Sequence, residues 1–278
     1  MSEEHAPVQA PNDEKTPMAD RYAVIGNPVA HSKSPWIHAE FARATTQDLE
    51  YDLLEAPLDG FAATVQRFRA AGGKGLNVTL PFKHEAFRLC STVSERAQRA
   101  QAVNTLVLET GFGDNTDGIG LVRDLSQNLN YTFRDVLVLG AGGAAQGVVG
   151  PLLEAGASRL VIANRTASRA KTLAERFPGA SGQGYEGLAG EFDLVINATS
   201  AGLADQAPPL PPGLLRSGVL AYDMVYGRET PFLAAARKAG ARTCDGLGML
   251  VEQAAESFFI WRGVRPQTRP LLARLRGS

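Results

Sequence analysis

From Arg21 onward, short apolar runs rich in β-branched and aromatic residues alternate with segments of helical period. "YAVIG" reads as a strand, and "SPWIHAEFARA" as a helix that Ser34 caps and Pro35 starts. "EYDLLEA" predicts a second strand, and "LDGFAATVQRFRAA" a helix with Phe61, Val65 and Phe68 on one face. "KGLNVTL" is a third strand, "SERAQRA" is helical, and "AVNTLVLE" is extended before the chain turns through "TGFGDNTDG". A second series follows, with strands at "DVLVLG", "RLVIANR", "DLVINATS" and "VLAYDMVY". Helices are expected after the first of these, at "ASRAKTLAERF" and at "PFLAAARKAG", and the amphipathic "LGMLVEQAAESFFIWRG" closes the chain. "APPLPPG", residues 207–213, is a rigid loop. Two successive αβ series predict two α/β domains with mostly parallel sheets, over residues 21–117 and 118–245.

Composition narrows the class. A chain of 278 residues can bury the cores of two such domains. A formal net charge of −1 leaves no excess of basic residues to neutralise a polyphosphate, which argues against nucleic acid as the main partner. The polar first 20 residues read as a disordered extension, without the apolar core of a signal peptide. No run reaches the roughly 20 apolar residues of a membrane span. Cys90 and Cys244 are isolated, forming neither a disulfide framework nor a metal-binding spacing, which fits a reducing cytoplasm.

In "VLVLGAGGAAQG", Gly140, Gly142 and Ala145 follow an apolar strand and open a helix, the context of a dinucleotide-binding turn. A glycine-rich turn without a ligand is the plainer account of the same residues. The next strand ends in "NRTASR", where Asn164, Arg165, Thr166 and Arg169 stand in place of the acid that would accept from a ribose hydroxyl. Two guanidinium groups suit a 2′-phosphate, so NADP is expected over NAD; a solvated helix start carrying two arginines is the alternative.

The first series carries polar residues in an unusual place. "GLNVTLPFKHEA" ends a strand with Asn77, Thr79 and Lys83, although each is costly to bury unpaired. Asn77 and Thr79 share a strand face, and Lys83 emerges in the first helical turn beyond Pro81. Lys is a poor choice there because the helix dipole favours negative charge, and Asp117 is a candidate partner. Each residue alone has a simpler reading: Lys83 as solvated, Asp117 as the N-cap of "GIGLVRDL". In "GNPVAHSKSPWIH", Ser32 and Ser34 face one way if Lys33 is extended, ready to donate to a small anion, but serine pairs in loops are usually turn or cap residues. His31, with no paired acid, reads as structural.

Taken together, "GNPVAHSKSP", "GGKGLNVTLPFK", "AVNTL", "GDNTDG", "LGAGGAA", "ANRT", "NATSAG", "YDMVYG" and "DGLGMLVEQAAE" resemble the shikimate dehydrogenase family, in order from about residue 22 to 266. The resemblance implies an N-terminal substrate-binding domain, a C-terminal Rossmann-type NADP-binding domain and an active site in the cleft between them. Residues 246–278 would return as helices onto the substrate domain. It implies NADPH-dependent, reversible reduction of 3-dehydroshikimate to shikimate in aromatic amino-acid precursor synthesis, by a monomer or homodimer. Ser32 and Ser34 would hold the substrate carboxylate, and Asn77, Thr79, Asn104 and Gln253 the ring hydroxyls, with Tyr226 nearby. Lys83 and Asp117 would form the catalytic pair. Gly140, Ala141, Gly142, Gly143, Ala144, Asn164, Arg165, Thr166, Arg169, Thr199, Met224 and Gly246 would line the cofactor. The sequence departs from relatives at Gln146, where they often carry Arg. Broader quinate/shikimate specificity and a non-catalytic NADP-binding module are the alternative functions, and no metal-ligand cluster is present in the sequence.

Overall fold

The computed structural model describes residues 19–199 and 206–277. The expected disordered extension therefore lies almost wholly outside the described residues, as does the end of "NATSAG". The first series comprises β1 (Asp20–Gly26), α1 (Ser34–Thr45), β2 (Leu49–Glu55), α2 (Phe61–Ala70), β3 (Gly73–Val78), α3 (Lys83–Leu89), β4 (Thr92–Val93), α4 (Glu95–Ala100), β5 (Thr105–Val107) and β6 (Phe112–Asp114). Helix α5 (Asp117–Arg123) runs into a π-helical turn at Asp124–Asn128. The second series comprises β7 (Asp135–Leu139), α6 (Gly143–Glu154), β8 (Arg159–Ala163), α7 (Ala167–Ala174), β9 (Ala180–Gln183), β10 (Leu194–Asn197), β11 (Leu220–Asp223), α8 (Pro231–Lys238) and β12 (Arg242–Cys244), followed by α9 (Leu247–Arg262) and α10 (Arg269–Gly277).

The second sheet has the order β12-β11-β10-β7-β8-β9 and is parallel throughout. Its core strands β7, β8 and β10 carry apolar runs because both faces are covered. Val136, Val138, Leu160, Ile162, Leu194 and Ile196 pack against α6 and α7, whereas Leu137, Leu139, Val161, Val195 and Ala221 pack against α8. The strand order reverses between β7 and β10, which opens a crevice at the carboxyl ends of those two strands.

The first sheet, β2-β1-β3-β5-β6-β4, is mostly parallel as expected, but β5 runs antiparallel to both β3 and β6. The connection from Val107 to Phe112 is too short for a crossover, and it turns through Gly111 at a φ of 72°. The segment read as a turn, "TGFGDNTDG", thus contains a strand. One face of this sheet buries Phe61, Val65 and Phe68 of α2, as the helical periodicity implied. The other face takes the end of α9: Trp261 stacks on Tyr22, donates to the Leu106 carbonyl at 3.0 Å and occupies the space that a side chain on Gly75 would need.

The C-terminal helices return to the first series. Val251, Ala254 and Phe258 of α9 and Leu271 and Leu272 of α10 form one apolar cluster with Ile37 and Phe41 of α1. On the same helix, Glu256 accepts from Arg96, Arg123 and Arg265. Burial pushes its carboxyl up, but the Arg123 and Arg265 guanidinium groups prevail and hold it at about 2.

His38 of α1 is fully buried against Phe41, Tyr51 and Phe258. Burial drives its imidazole pKa down to about 3, against a smaller opposing pull from Asn77. The unfolded imidazole takes a proton near 6.5 and the folded one only near 3, so stability is complete above about pH 6.5 and falls as pH drops through that window. The expected loss is about 1.4 kcal/mol per pH unit. Urea titrations of the parent and His38→Phe at several pH values check this: the parent's midpoint should fall more steeply toward acid, and parallel curves would refute it.

Candidate active site

Two adjoining cavities are lined by residues of both αβ series. The larger, about 560 Å³, lies over the crevice between β7 and β10. Gly140 leaves β7 at a φ of 110°, a conformation a side chain rarely adopts, and a Cβ there would come within 3.0 Å of the Ala198 carbonyl. Gly142 is the N-cap of α6 and offers no side-chain cap, which leaves the first N–H groups of the helix free for an anion. Gly140, Ala141, Gly142, Gly143 and Ala144 line this cavity together with Asn164, Arg165, Arg169, Thr199 and Met224. Both arginines are exposed, and neither pairs with a carboxylate among the described residues. A glycine turn, an uncapped helix start and two unpaired guanidinium groups fit a dinucleotide with an additional phosphate.

Two residues expected here lie elsewhere. Thr166 is the N-cap of α7, outside the lining, and its carbonyl accepts from the Asn164 side chain at 3.0 Å. Gly246 lines the second cavity instead, where a Cβ would strike the Met224 carbonyl at 2.4 Å. Leu80, Ala198, Tyr185 and the Pro208–Pro209 loop line the first cavity without having been anticipated. Leu80, Ala198 and the two prolines lie within strings already singled out, but their place in this cavity follows from packing.

The second cavity, about 210 Å³, gathers Ser32, Ser34, Asn77, Thr79, Lys83, Asn104, Asp117, Tyr226 and Gln253. Strand β3 stops at Val78, but the Thr79 N–H still donates to the Ile25 carbonyl at 2.9 Å, so the alternation that puts Asn77 and Thr79 on one side continues. Lys83 opens α3, and its Nζ lies 2.5 Å from Oδ2 of Asp117, with side chains only 13% and 7% exposed. Asp117 is not an N-cap: it is the first residue of α5, after Thr116, and its carboxylate turns into the site. Its Oδ1 accepts from Nδ2 of Asn104 at 2.8 Å. The Asn104 amide is held in turn by the Thr116 N–H at 2.8 Å.

At the other end of the cavity, Lys33 is helical rather than extended, and it occupies the cap position of α1. The two serines still meet: Ser32 Oγ donates to Ser34 Oγ at 3.1 Å and accepts from the Ser34 N–H at 3.2 Å. Ser32, not Ser34, therefore receives a free N–H at the helix start. Burial raises the phenol pKa of Tyr226, and the backbone of Lys33 lowers it less, so the hydroxyl keeps its proton at neutral pH. His31 is exposed and lines neither cavity. Among the described residues, no group of three or more metal-ligating side chains converges, and no helix is long and apolar enough to cross a membrane.

Leu80, Ala144 and Met224 line both cavities, so the two adjoin at that point. Lys83 stands beside it: its side-chain carbons lie 3.8 Å from where a Cβ on Gly143 would be.

Three family profiles match the chain: "Shikimate dehydrogenase substrate binding domain" over residues 24–106, "Shikimate / quinate 5-dehydrogenase" over 123–204 and "Shikimate 5'-dehydrogenase C-terminal domain" over 246–276. A shikimate dehydrogenase (NADP(+)) from Cupriavidus taiwanensis is 58% identical over 278 residues, covering 94% of each chain. Among solved structures, an Ael1 enzyme from Pseudomonas putida superposes with a TM-score of 0.86 at 51% identity, covering 92% of this chain and 98% of that one. Shikimate 5-dehydrogenase from Thermus thermophilus, in complex with NADP(H) and shikimate, gives 0.81 at 36% identity over 93% and 99%. The two cavities thus sit on a scaffold shared along nearly its full length with these enzymes, and the chain belongs to the shikimate dehydrogenase family.

Proposed function

We propose that the protein catalyses the NADPH-dependent, reversible reduction of 3-dehydroshikimate to shikimate. The observation that carries this reading is the Lys83–Asp117 pair, which opens onto the polar cavity next to Leu80, Ala144 and Met224, the residues shared with the glycine-turn cavity. The ordering of domains follows: a substrate domain over 21–117, completed by residues 246–278, and an NADP domain over 118–245.

NADPH, when bound, supplies the hydride. Gly140 to Ala144 and the start of α6 would hold its pyrophosphate, and Arg165 and Arg169 its 2′-phosphate. Ser32 and Ser34 donate to the substrate carboxylate, while Asn77, Thr79, Asn104 and Gln253 hydrogen-bond the ring hydroxyls. As the ketone carbon gains the hydride, the carbonyl electron pair moves to oxygen. Protonated Lys83 gives that oxygen a proton, leaving the alcohol product and a neutral amine that solvent reprotonates. In the oxidising direction the neutral amine accepts the same proton. Asp117, tied down by Asn104, aims Nζ at the reacting oxygen. A site built from donors and acceptors discriminates strongly, since an analogue lacking a hydroxyl leaves buried groups unpaired.

Initial rates of NADP reduction with shikimate, run beside quinate and beside NAD, test the assignment. Shikimate with NADP should be the fastest combination by a wide margin. Comparable rates with quinate or NAD would move the protein to a broader specificity, and binding of NADPH without turnover of either acid would make it a non-catalytic module.

A further inference from the structure

Asn77 lines the substrate cavity, yet its side chain is nearly spent within the protein: Oδ1 accepts from the Tyr51 hydroxyl at 2.7 Å, and Nδ2 donates to Ser257 Oγ at 2.9 Å and to the Asn104 carbonyl at 3.2 Å. The oxygen and nitrogen of a terminal amide have nearly the same shape, so packing does not decide which faces the cavity and hydrogen bonds must. The Asn104 carbonyl only accepts, and it therefore demands Nδ2. Turned the other way, the amide would set two oxygens against each other. Tyr51 completes the choice by donating to Oδ1. It is buried, and burial holds its phenol well above the usual value, against a smaller pull from Ser34, so it keeps the proton it donates.

The Tyr51 ring is itself immobilised. It lies flat on the imidazole of His38, centroids 4.2 Å apart and planes 4° apart. His38 meets Tyr51 through its ring face, and among the described residues neither of its ring nitrogens has a partner in good hydrogen-bond geometry. From the phenol the contacts run through Asn77 to the Asn104 carbonyl, and from the Asn104 amide to Asp117 and Lys83.

We propose that Tyr51 is a positioning residue for the substrate, its hydroxyl fixing the Asn77 amide in the orientation that receives a ring hydroxyl. The proposal rests on the dehydrogenase reading above. Without that hydroxyl, the Asn77 amide loses the bond that holds Oδ1 in place and the ring binds less tightly, while the reacting carbonyl still meets an intact Lys83–Asp117 pair.

Tyr51→Phe tests this, because phenylalanine keeps the ring and its stacking on His38. The KM for shikimate should rise roughly 3- to 10-fold, the loss of one hydrogen bond, with kcat and the KM for NADP changed by less than about 2-fold. Adding Tyr51→Phe to Asn77→Ala should cost less than about 2-fold beyond Asn77→Ala alone, since the phenol acts through that amide. In the ligand-free protein, the side-chain amide resonances of Asn77 should shift in Tyr51→Phe. An unchanged KM for shikimate, or effects that multiply in the double variant, would overturn the proposal. Wild-type protein inert toward shikimate would overturn the dehydrogenase reading, and Asn77 resonances indifferent to Tyr51→Phe would overturn this one, so the two fail separately.

Discussion

Lys83→Ala is expected to lower kcat for NADP-dependent shikimate oxidation by about 10²- to 10⁴-fold, the usual contribution of a positioned general acid or base. The KM for NADP should change little, because Lys83 lines only the substrate cavity. The variant should fold. Asp117 loses its cation, but its carboxylate keeps the Asn104 bond and sits in the first turn of α5, where free N–H groups favour negative charge. Steady-state rates with shikimate, taken with NADPH binding by fluorescence, separate the outcomes. Intact binding with turnover lost supports the role of Lys83. Turnover within 10-fold of the parent would mean that the proton comes from elsewhere, and the pair would be reduced to a structural tie.

The second large effect concerns cofactor choice. Replacing both Arg165 and Arg169 with alanine should raise the KM for NADP by roughly 100-fold or more, given 1.5 to 3 kcal/mol for each hydrogen bond to a charged group. NAD kinetics should be nearly unaffected, so the preference between the two should collapse. Stability should hold as well, since both side chains are exposed and neither is paired with a carboxylate among the described residues. An unaltered NADP preference would place recognition of the 2′-phosphate on other groups, with Tyr185 of the same cavity the first to examine.

The lines of the protein that were legible in advance are those with local causes. The parallel core strands declared themselves as apolar runs, and the glycine turn and the arginine-bearing strand end lie within single αβ units, where spacing along the chain equals spacing in space. The elements missed are short, and all but the interior β6 are peripheral. β4, β9 and β12 are all sheet edges, and an edge strand such as "ASGQ" lacks the apolar pattern that full burial imposes. The Tyr51 hydroxyl was invisible for a different reason: a tyrosine in "EYDLLEA" reads as a strand residue until its partner, 26 positions away, is known.

Sequence alone determined the alternation of elements, the strand-turn-helix contexts of the nucleotide site and, through several specific strings, the family. Tertiary structure decided what distance along the chain conceals. It joined Lys83 to Asp117 across 34 positions, made Ser32 rather than Ser34 the acceptor at the start of α1, moved Gly246 from one cavity to the other and left Thr166 outside both. The reason is the range of the forces involved. Propensity, periodicity and caps act over a few residues and are written locally, whereas a buried polar side chain must find its partners wherever the packing of distant elements has placed them.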